Sequence, residues 1–320
     1  MIKSIYRNRL LICLLVIFTL IIMYLIPSKD NNIVITTKLE YIEDIKTANI
    51  YLLDKNNYLG CTSIMIDNDE IEVKAKELIN SLIIDSDNQD LIPSGFKPII
   101  PSNTKINSIA YSGSTIKVDF SNDLLDVDKD YEEKIIESIV YTLTSIDKIK
   151  YVIIYIDGNI LTRLPKSNIT LPTTLDRSFG INKEYNINSN KGITKTTIYY
   201  VSKFDDNEYY VPITKVNNDS REKIEIIIDE LSSHSVYNSN LMSYLNNNTK
   251  ILSVNNDNNI FSINFNDAIF SDINEKEILE EVIYTISMSI NDNYDVKEVV
   301  FSVNNEEICK NTWIIKKNII

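Results

Sequence analysis

Runs of alternating apolar and polar residues, each four to eight long, punctuate most of this chain and predict short strands. Residues 50–53 and 59–66 flank the turn-forming stretch from Asp54 to Asn57. Residues 105–111 and 115–120 flank Ser112, Gly113 and Ser114, and both pairs read as hairpins. The strand at 152–156 is apolar enough for the middle of a sheet. Between these the period lengthens to that of a helix. Residues 71–84 read as a first helix, to which Val73, Leu78, Ile79 and Leu82 supply apolar contacts. A second helix carries Ile135, Ile136, Ile139, Val140 and Leu143, a stripe wide enough to cover one face of a sheet.

The same series then recurs. Thr104 and Phe120 match Thr249 and Phe265 at an offset of 145, Tyr141 matches Tyr284 at 143, and Val152 matches Val299 at 147, the drift marking loop insertions. In the second copy strands are predicted at 198–202, 209–214, 250–254, 259–265 and 299–303, and helices at 220–231 and around Ile278, Leu279, Val282, Ile283 and Ile286. The pairs Tyr141–Thr142 and Tyr284–Thr285 recur at the same place in the second helix. At about 100° per residue the tyrosines point almost opposite the apolar stripe and the threonines lie on its flank. A tyrosine-bearing face opposite the core is a candidate interaction surface, so Tyr141, Thr142, Tyr284 and Thr285 are the candidate docking residues. Common descent of the two copies is the simpler explanation of the pair.

Each copy therefore reads as an α+β layer, a sheet with two helices on one side. The expected organisation is a cytoplasmic stub and transmembrane anchor at 1–28, a linker at 29–47, a first domain at 48–165, a polar linker at 166–195, and a second domain at 196–317. The anchor is Leu10 to Ile26, an uncharged apolar run near the lower length limit for a membrane span. Lys3, Arg7 and Arg9 precede it, which places the larger part of the chain outside the cytoplasm. No small-residue cleavage site follows it. Cys13 opens the run instead of following it, so it does not read as a lipidation site.

The chain has 32 Lys and Arg against 45 Asp and Glu, a net charge of −13; without the basic N-terminal stub the remainder carries −16. That argues against nucleic acid and anionic polymers as partners. Six glycines, none in a phosphate-cradling motif, exclude the common nucleotide loops. Cys61 and Cys309 fall in different copies and form no disulfide framework; one bridge between them stays open.

Catalytic readings find little support. His234, the one histidine, lies among Ser232, Ser233 and Ser235 without a nucleophile elbow, and no zinc set is available. Asp126, Asp128, Asp130, Glu132 and Glu137 fit positions 1, 3, 5, 7 and 12 of a calcium loop. Tyr131 occupies the position that needs glycine, and acidic residues are expected before a helix in any case. Asp126, Asp128, Asp130 and Glu137 are thus a weak calcium candidate. Asp119 reads as an outward strand residue and Asp157–Gly158–Asn159 as a turn. No cofactor and no catalytic residue is expected.

The order strand, helix, LIPSGFKPIIPSNTKI, IKVDFSNDL, IVYTLTSI, VIIYIDG resembles the GerMN domain, found singly or in tandem in exported bacterial proteins of sporulation and germination. The resemblance covers residues 49–164 and 196–307. Its most specific pieces are VDFS at Val118 to Ser121, YTLT at Tyr141 to Thr144 and IDG at Ile156 to Gly158, which copy two replaces with INFN, YTIS and VNN. What it implies is a fold like that of ring-building modules and a non-enzymatic envelope protein. Its implied partners are other envelope or sporulation-channel proteins, or further copies of itself. A general wall-associated accessory protein and a wall hydrolase are the alternatives.

Overall fold

The structure is a computed structural model that describes residues 46–233 and 240–312. Leu10 to Ile26, Cys13 and His234 lie outside the described residues. No helix among those described is long and apolar enough to cross a membrane.

Copy one contains strands β1 (Thr47–Asp54) and β2 (Leu59–Met65), helix α1 (Ile71–Leu82), the short strand β3 (Phe96–Lys97), strands β4 (Ile106–Ser112) and β5 (Thr115–Phe120), helix α2 (Lys129–Leu143), and strands β6 (Tyr151–Ile156) and β7 (Asn159–Ile160). After β8 (Glu184–Asn186), copy two repeats the series with β9 (Thr194–Phe204), β10 (Asn207–Asn217), α3 (Lys223–Ser232), β11 (Ile251–Asp257), β12 (Ile260–Phe265), α4 (Glu280–Tyr294), β13 (Glu298–Val303) and β14 (Glu306–Thr312). The predicted hairpins and helices are all present. Leu279 is the residue that precedes α4, one position outside the helix.

The arrangement of sheets departs from the sequence reading. A copy does not form one sheet with two helices behind it. Its second hairpin builds a four-stranded sheet, β4-β5-β6-β7 in copy one and β11-β12-β13-β14 in copy two, in which β5–β6 and β12–β13 are parallel and joined through α2 and α4. Its first hairpin lies in a different sheet, shared by both copies, with the order β3-β1-β2-β10-β8 and β9 beside β10. Alternation within a strand fixes which residues share a face, but not which sheet the strand joins, and that is why the split was not legible.

This split explains why α2 is buried almost all round. It lies between β1 of the shared sheet and β6 of the small one, and every residue from Ile135 to Leu143 is buried. The stripe Ile135, Ile136, Ile139, Val140 and Leu143 meets the core as expected, while the opposite side meets the shared sheet.

Residues 161–183, the end of the expected first domain and the first part of the expected linker at 166–195, form a packed strap. Leu161, Leu164, Leu171, Leu175, Phe179 and Ile181 are all buried in the core of copy one, and Leu175 and Val152 exchange two backbone hydrogen bonds of 2.8 Å beside β6. Six apolar side chains dispersed among Asn, Ser and Thr gave too low a density for a sequence signal, yet each finds a place in the core.

Candidate functional site

Three of the four residues singled out by the Tyr–Thr repeat, Tyr141, Thr142 and Thr285, fall in interior positions. Tyr141 and Thr142 have no exposed surface and Thr285 is 3% exposed, so the expectation of an exposed helical face is corrected. The Tyr141 ring meets Tyr51 edge-on with centroids 5.3 Å apart, and its hydroxyl donates to the Arg177 carbonyl at 3.1 Å. Tyr284 is half-buried, its ring 5.8 Å from that of Tyr210. Thr142 has a specific duty. Its Oγ1 accepts the Tyr51 N–H at 3.1 Å, Ser138 donates to the Tyr51 carbonyl at 2.7 Å, and Ser145 donates to the Asn49 carbonyl at 2.7 Å. Spaced by four and three residues, these hydroxyls lie along one line of α2 and satisfy the free edge of β1 where no strand pairs with it.

In copy two the same edge is satisfied one helical turn later. Ser289 accepts the Tyr199 N–H at 2.9 Å, and Asn293 pairs with both the N–H and the carbonyl of Thr197. Thr285 donates only to carbonyls of its own helix, at Glu281 and Val282.

Around these edges the two copies meet. Tyr51 and Tyr199, equivalent residues of β1 and β9, bring their hydroxyls to 3.1 Å. The Arg177 guanidinium of the strap lies 4.9 Å from the Tyr141 centroid and 5.6 Å from that of Tyr51. It donates to Thr144 Oγ1 at 3.1 Å, to the Tyr199 hydroxyl at 3.2 Å and to Asp292 of α4 at 2.6 Å, and Tyr199 donates to the other Asp292 oxygen at 2.8 Å. Burial holds the Tyr51, Tyr141 and Tyr199 hydroxyls well above the usual phenol range, so all three stay neutral donors and acceptors.

A second stitch lies further along the strap. Strands β2 and β10 pair only between Cys61 and Tyr210, and Asn182 extends the seam. Its amide donates to the carbonyls of Leu59 and Pro212 at 2.9 and 2.8 Å, and its oxygen accepts the Leu59 N–H at 2.9 Å. The Asn182 backbone stands at φ 46° and donates its N–H to Glu137 at 2.9 Å. Lys183 joins Glu137 at 3.2 Å and Glu133 at 2.7 Å. Burial pushes the Glu137 carboxyl up to about 7, against the opposing pull of Lys183. Phe96 of the proline-bearing loop completes the seam, its ring 4.7 Å from Tyr209 of copy two.

The acidic series therefore does not converge as a calcium loop. Asp126, Asp128 and Asp130 are exposed, whereas Glu132 accepts the Lys166 and Ser167 N–H groups and Glu137 is turned onto the strap. Among the described residues no three or more acidic, histidine or cysteine side chains form a metal-sized cluster, and Cys61 and Cys309 are unpaired.

The other motif residues hold turns. Asp119 accepts the Gly158 N–H at 3.1 Å, and Asn264 accepts the equivalent Asn305 N–H at 3.0 Å. Ser121 accepts the Lys105 N–H at 3.0 Å, as Asn266 does for Lys250 at 2.9 Å. Asp157 and Gly158 stand at φ 45° and 81°, Asn304 and Asn305 at 49° and 70°, so asparagine serves the left-handed turn that glycine serves in copy one. A shallow depression of about 390 Å³ beside this turn is lined by Asn122, Asp157, Ile160 and Arg163, with no nucleophile and base set against each other.

This twofold construction has a counterpart among known families. The model of a family described as "Germane: Sporulation and spore germination" matches residues 49–162 and again residues 197–309. The chain belongs to that family. It is 29% identical over 274 residues to the spore germination protein GerM of Bacillus subtilis strain 168, covering 84% of this chain and 74% of that one. The solved tandem GerMN domains of the Bacillus subtilis sporulation protein GerM superpose with a TM-score of 0.74 at 29% identity, over 82% of this chain and 92% of theirs. In this Germane chain, sequence reasoning found VDFS, YTLT and IDG but missed Arg177, Asn182 and Asp292. Their duties arise only between segments distant in the chain. The only sequence signal was the dispersed apolar series from Leu171 to Ile181 in a stretch otherwise polar.

Proposed function

We propose that this protein is a non-enzymatic scaffold of sporulation or germination, held at the membrane by Leu10 to Ile26 with its tandem body outside the cytoplasm. The observation that carries this reading is the seam. Arg177, Asn182, Tyr51 and Tyr199 join the two copies into one body, and their polar groups are used up in holding it together. Such a seam gives the rigidity an assembly part needs, and its own polar groups are engaged in holding the copies together instead of standing free for chemistry. The partners under this reading are other envelope or sporulation-channel proteins, or further copies of the chain, bound through exposed faces of the body and not through Tyr141. Its acidity favours protein over anionic wall polymer.

The test is made in the producing cell. Protease added to intact protoplasts should digest the body, and deletion of the gene should impair sporulation or germination without a vegetative defect. Full protection of the body would reject the topology. A vegetative wall defect alone would favour the general accessory role, and cleavage of peptidoglycan by the purified protein would overturn the non-enzymatic reading.

A further inference from the structure

Strands β4 and β11 stand at equivalent edges of the small sheets, and the two copies finish them differently. In copy one α1 packs against β4, and the Tyr111 N–H of that strand donates to Glu72 of the helix at 2.7 Å. In copy two β11 is exposed from Leu252 through Asp257. The turn after it determines which of its backbone groups are free. Asn258 and Asn259 stand at φ 53° and 64° and form a two-residue hairpin turn, so Asp257 and Ile260 on either side hydrogen-bond to each other. Bonding alternates along an antiparallel pair. Ser253 and Asn255 therefore also turn their N–H and carbonyl groups to β12, while Val254 and Asn256 turn theirs away from the sheet. Among the described residues no group of another element hydrogen-bonds to the backbone of Val254 or Asn256.

An open edge of this kind is ordinarily closed by charge, proline or a bulge. From Ile251 to Asn256 the strand has neither charge nor proline, and its bulge lies at the start, between Ile251 and Ser253, leaving Ser253 to Asp257 regular. Leu252 is 52% and Val254 41% exposed, two large apolar side chains on the strand that offers the free backbone. A row of alternating donors and acceptors is matched by another extended strand. The sequence of β11 suits a second β11 running antiparallel. Centred on Val254, self-pairing sets Val254 across from its counterpart, Leu252 across from Asn256 and Ile251 across from Asp257. No charge then faces a like charge, and Asp257 of each copy comes beside Lys250 of the other, opposite charges at both ends of the seam.

We propose that the β11 edge is a self-association surface, at which two copies of the chain pair antiparallel about a twofold axis through Val254 and join their four-stranded copy-two sheets into one. The twofold operation uses up both edges, so this contact closes at two chains. The inference rests on the scaffold reading and names, under it, the partner and its surface.

A disulfide reports the register. In the full-length chain in detergent, Val254→Cys places two thiols on the axis, their Cα atoms about 5.5 Å apart and within disulfide reach. Asn256→Cys leaves its two thiols four residues apart along the seam, about 14 Å. Mild oxidation should give a covalent dimer from Val254→Cys at least about tenfold faster than from Asn256→Cys or from the parent chain, whose own cysteines set the background. Asn256→Pro added to Val254→Cys removes an outward N–H where an edge strand accepts proline, and should bring the dimer down to that background. If melting curves show that this variant does not fold, Leu252→Lys with Asn256→Lys, both at exposed positions, sets like charges across the seam and takes its place. Equal rates at the two cysteines, the mark of random collision, would overturn the proposal. So would a rate at Val254→Cys that a folded edge variant leaves unchanged. Either result strikes the self-pairing alone, since the scaffold reading is decided by the phenotype of the gene deletion.

Discussion

Copies one and two share their elements, turn chemistry and edge-strand problem, yet they solve the last with different residues. In copy one Ser138, Thr142 and Ser145 satisfy β1; in copy two Ser289 and Asn293 satisfy β9, one turn further along the helix. The duty survived duplication while the residue performing it moved. Tyr–Thr recurs because both helices descend from one ancestor, but only Thr142 still serves the strand. A second difference is that copy one is finished by extra chain. The strap buries its helix and reaches across to copy two, whereas the proline-bearing loop has a counterpart in copy two, where Leu241 and Leu245 are buried and Met242 exchanges two backbone hydrogen bonds with Val201 of β9.

The largest effect should come from breaking the strap's hold on both copies. Arg177→Met leaves the Asp292 carboxylate, its side chain 2% exposed, without its cation, and should cost about 3–5 kcal/mol of stability in urea unfolding. Adding Asp292→Asn should recover part of that loss; fully additive effects would show that the pair is not coupled.

Next in size is the titration of Glu137, the carboxylate under the strap. Its folded-state value is raised from an ordinary 4.5 to about 7, so the native state binds the proton more tightly than the unfolded chain. The contribution is fully present below about pH 4.5 and is lost as pH rises through about 7, by roughly 3 kcal/mol. Glu137→Gln should flatten stability over that window. A profile unchanged by the substitution would assign the pH dependence to other groups.

A sharper comparison sets the two threonines against each other. Thr142→Val strands the buried Tyr51 N–H and should cost about 1–3 kcal/mol, whereas Thr285→Val removes only a bond back to its own helix and should cost less than about 0.5 kcal/mol. Equal thermal shifts in the two variants would contradict the division of duties described above. The smallest effect is expected from exchanging motif residues between copies. Asp119→Asn and Asn264→Asp each keep an oxygen facing the turn N–H, and each should move stability by less than about 1 kcal/mol.

Several of these features were legible from the residues alone. Period-two and period-3.6 patterns placed the hairpins and helices, since a strand or helix must turn its apolar side to a core whatever that core is made of. The repeat located the two copies, and IDG marked a turn because a left-handed turn is local in chain and space, whereas Asp119 of VDFS, read as an outward strand residue, caps that turn from a distant strand. Tyr141 shows where such reasoning ends. Its angle on the helix was read correctly as opposite the stripe, but whether that direction faces water depends on what lies there, and β1 with Arg177 does.

From sequence, then, came the strands, the helices, the duplication and the family, all governed by contacts between near neighbours or by repetition along the chain. Tertiary structure alone decided that the first hairpins of both copies share a sheet, that a polar-looking linker is a buried strap, and that Arg177, Asn182 and Asp292 hold the copies together. Each of those outcomes depends on desolvated polar groups finding partners more than twenty residues away, and no periodicity along a chain records such a meeting.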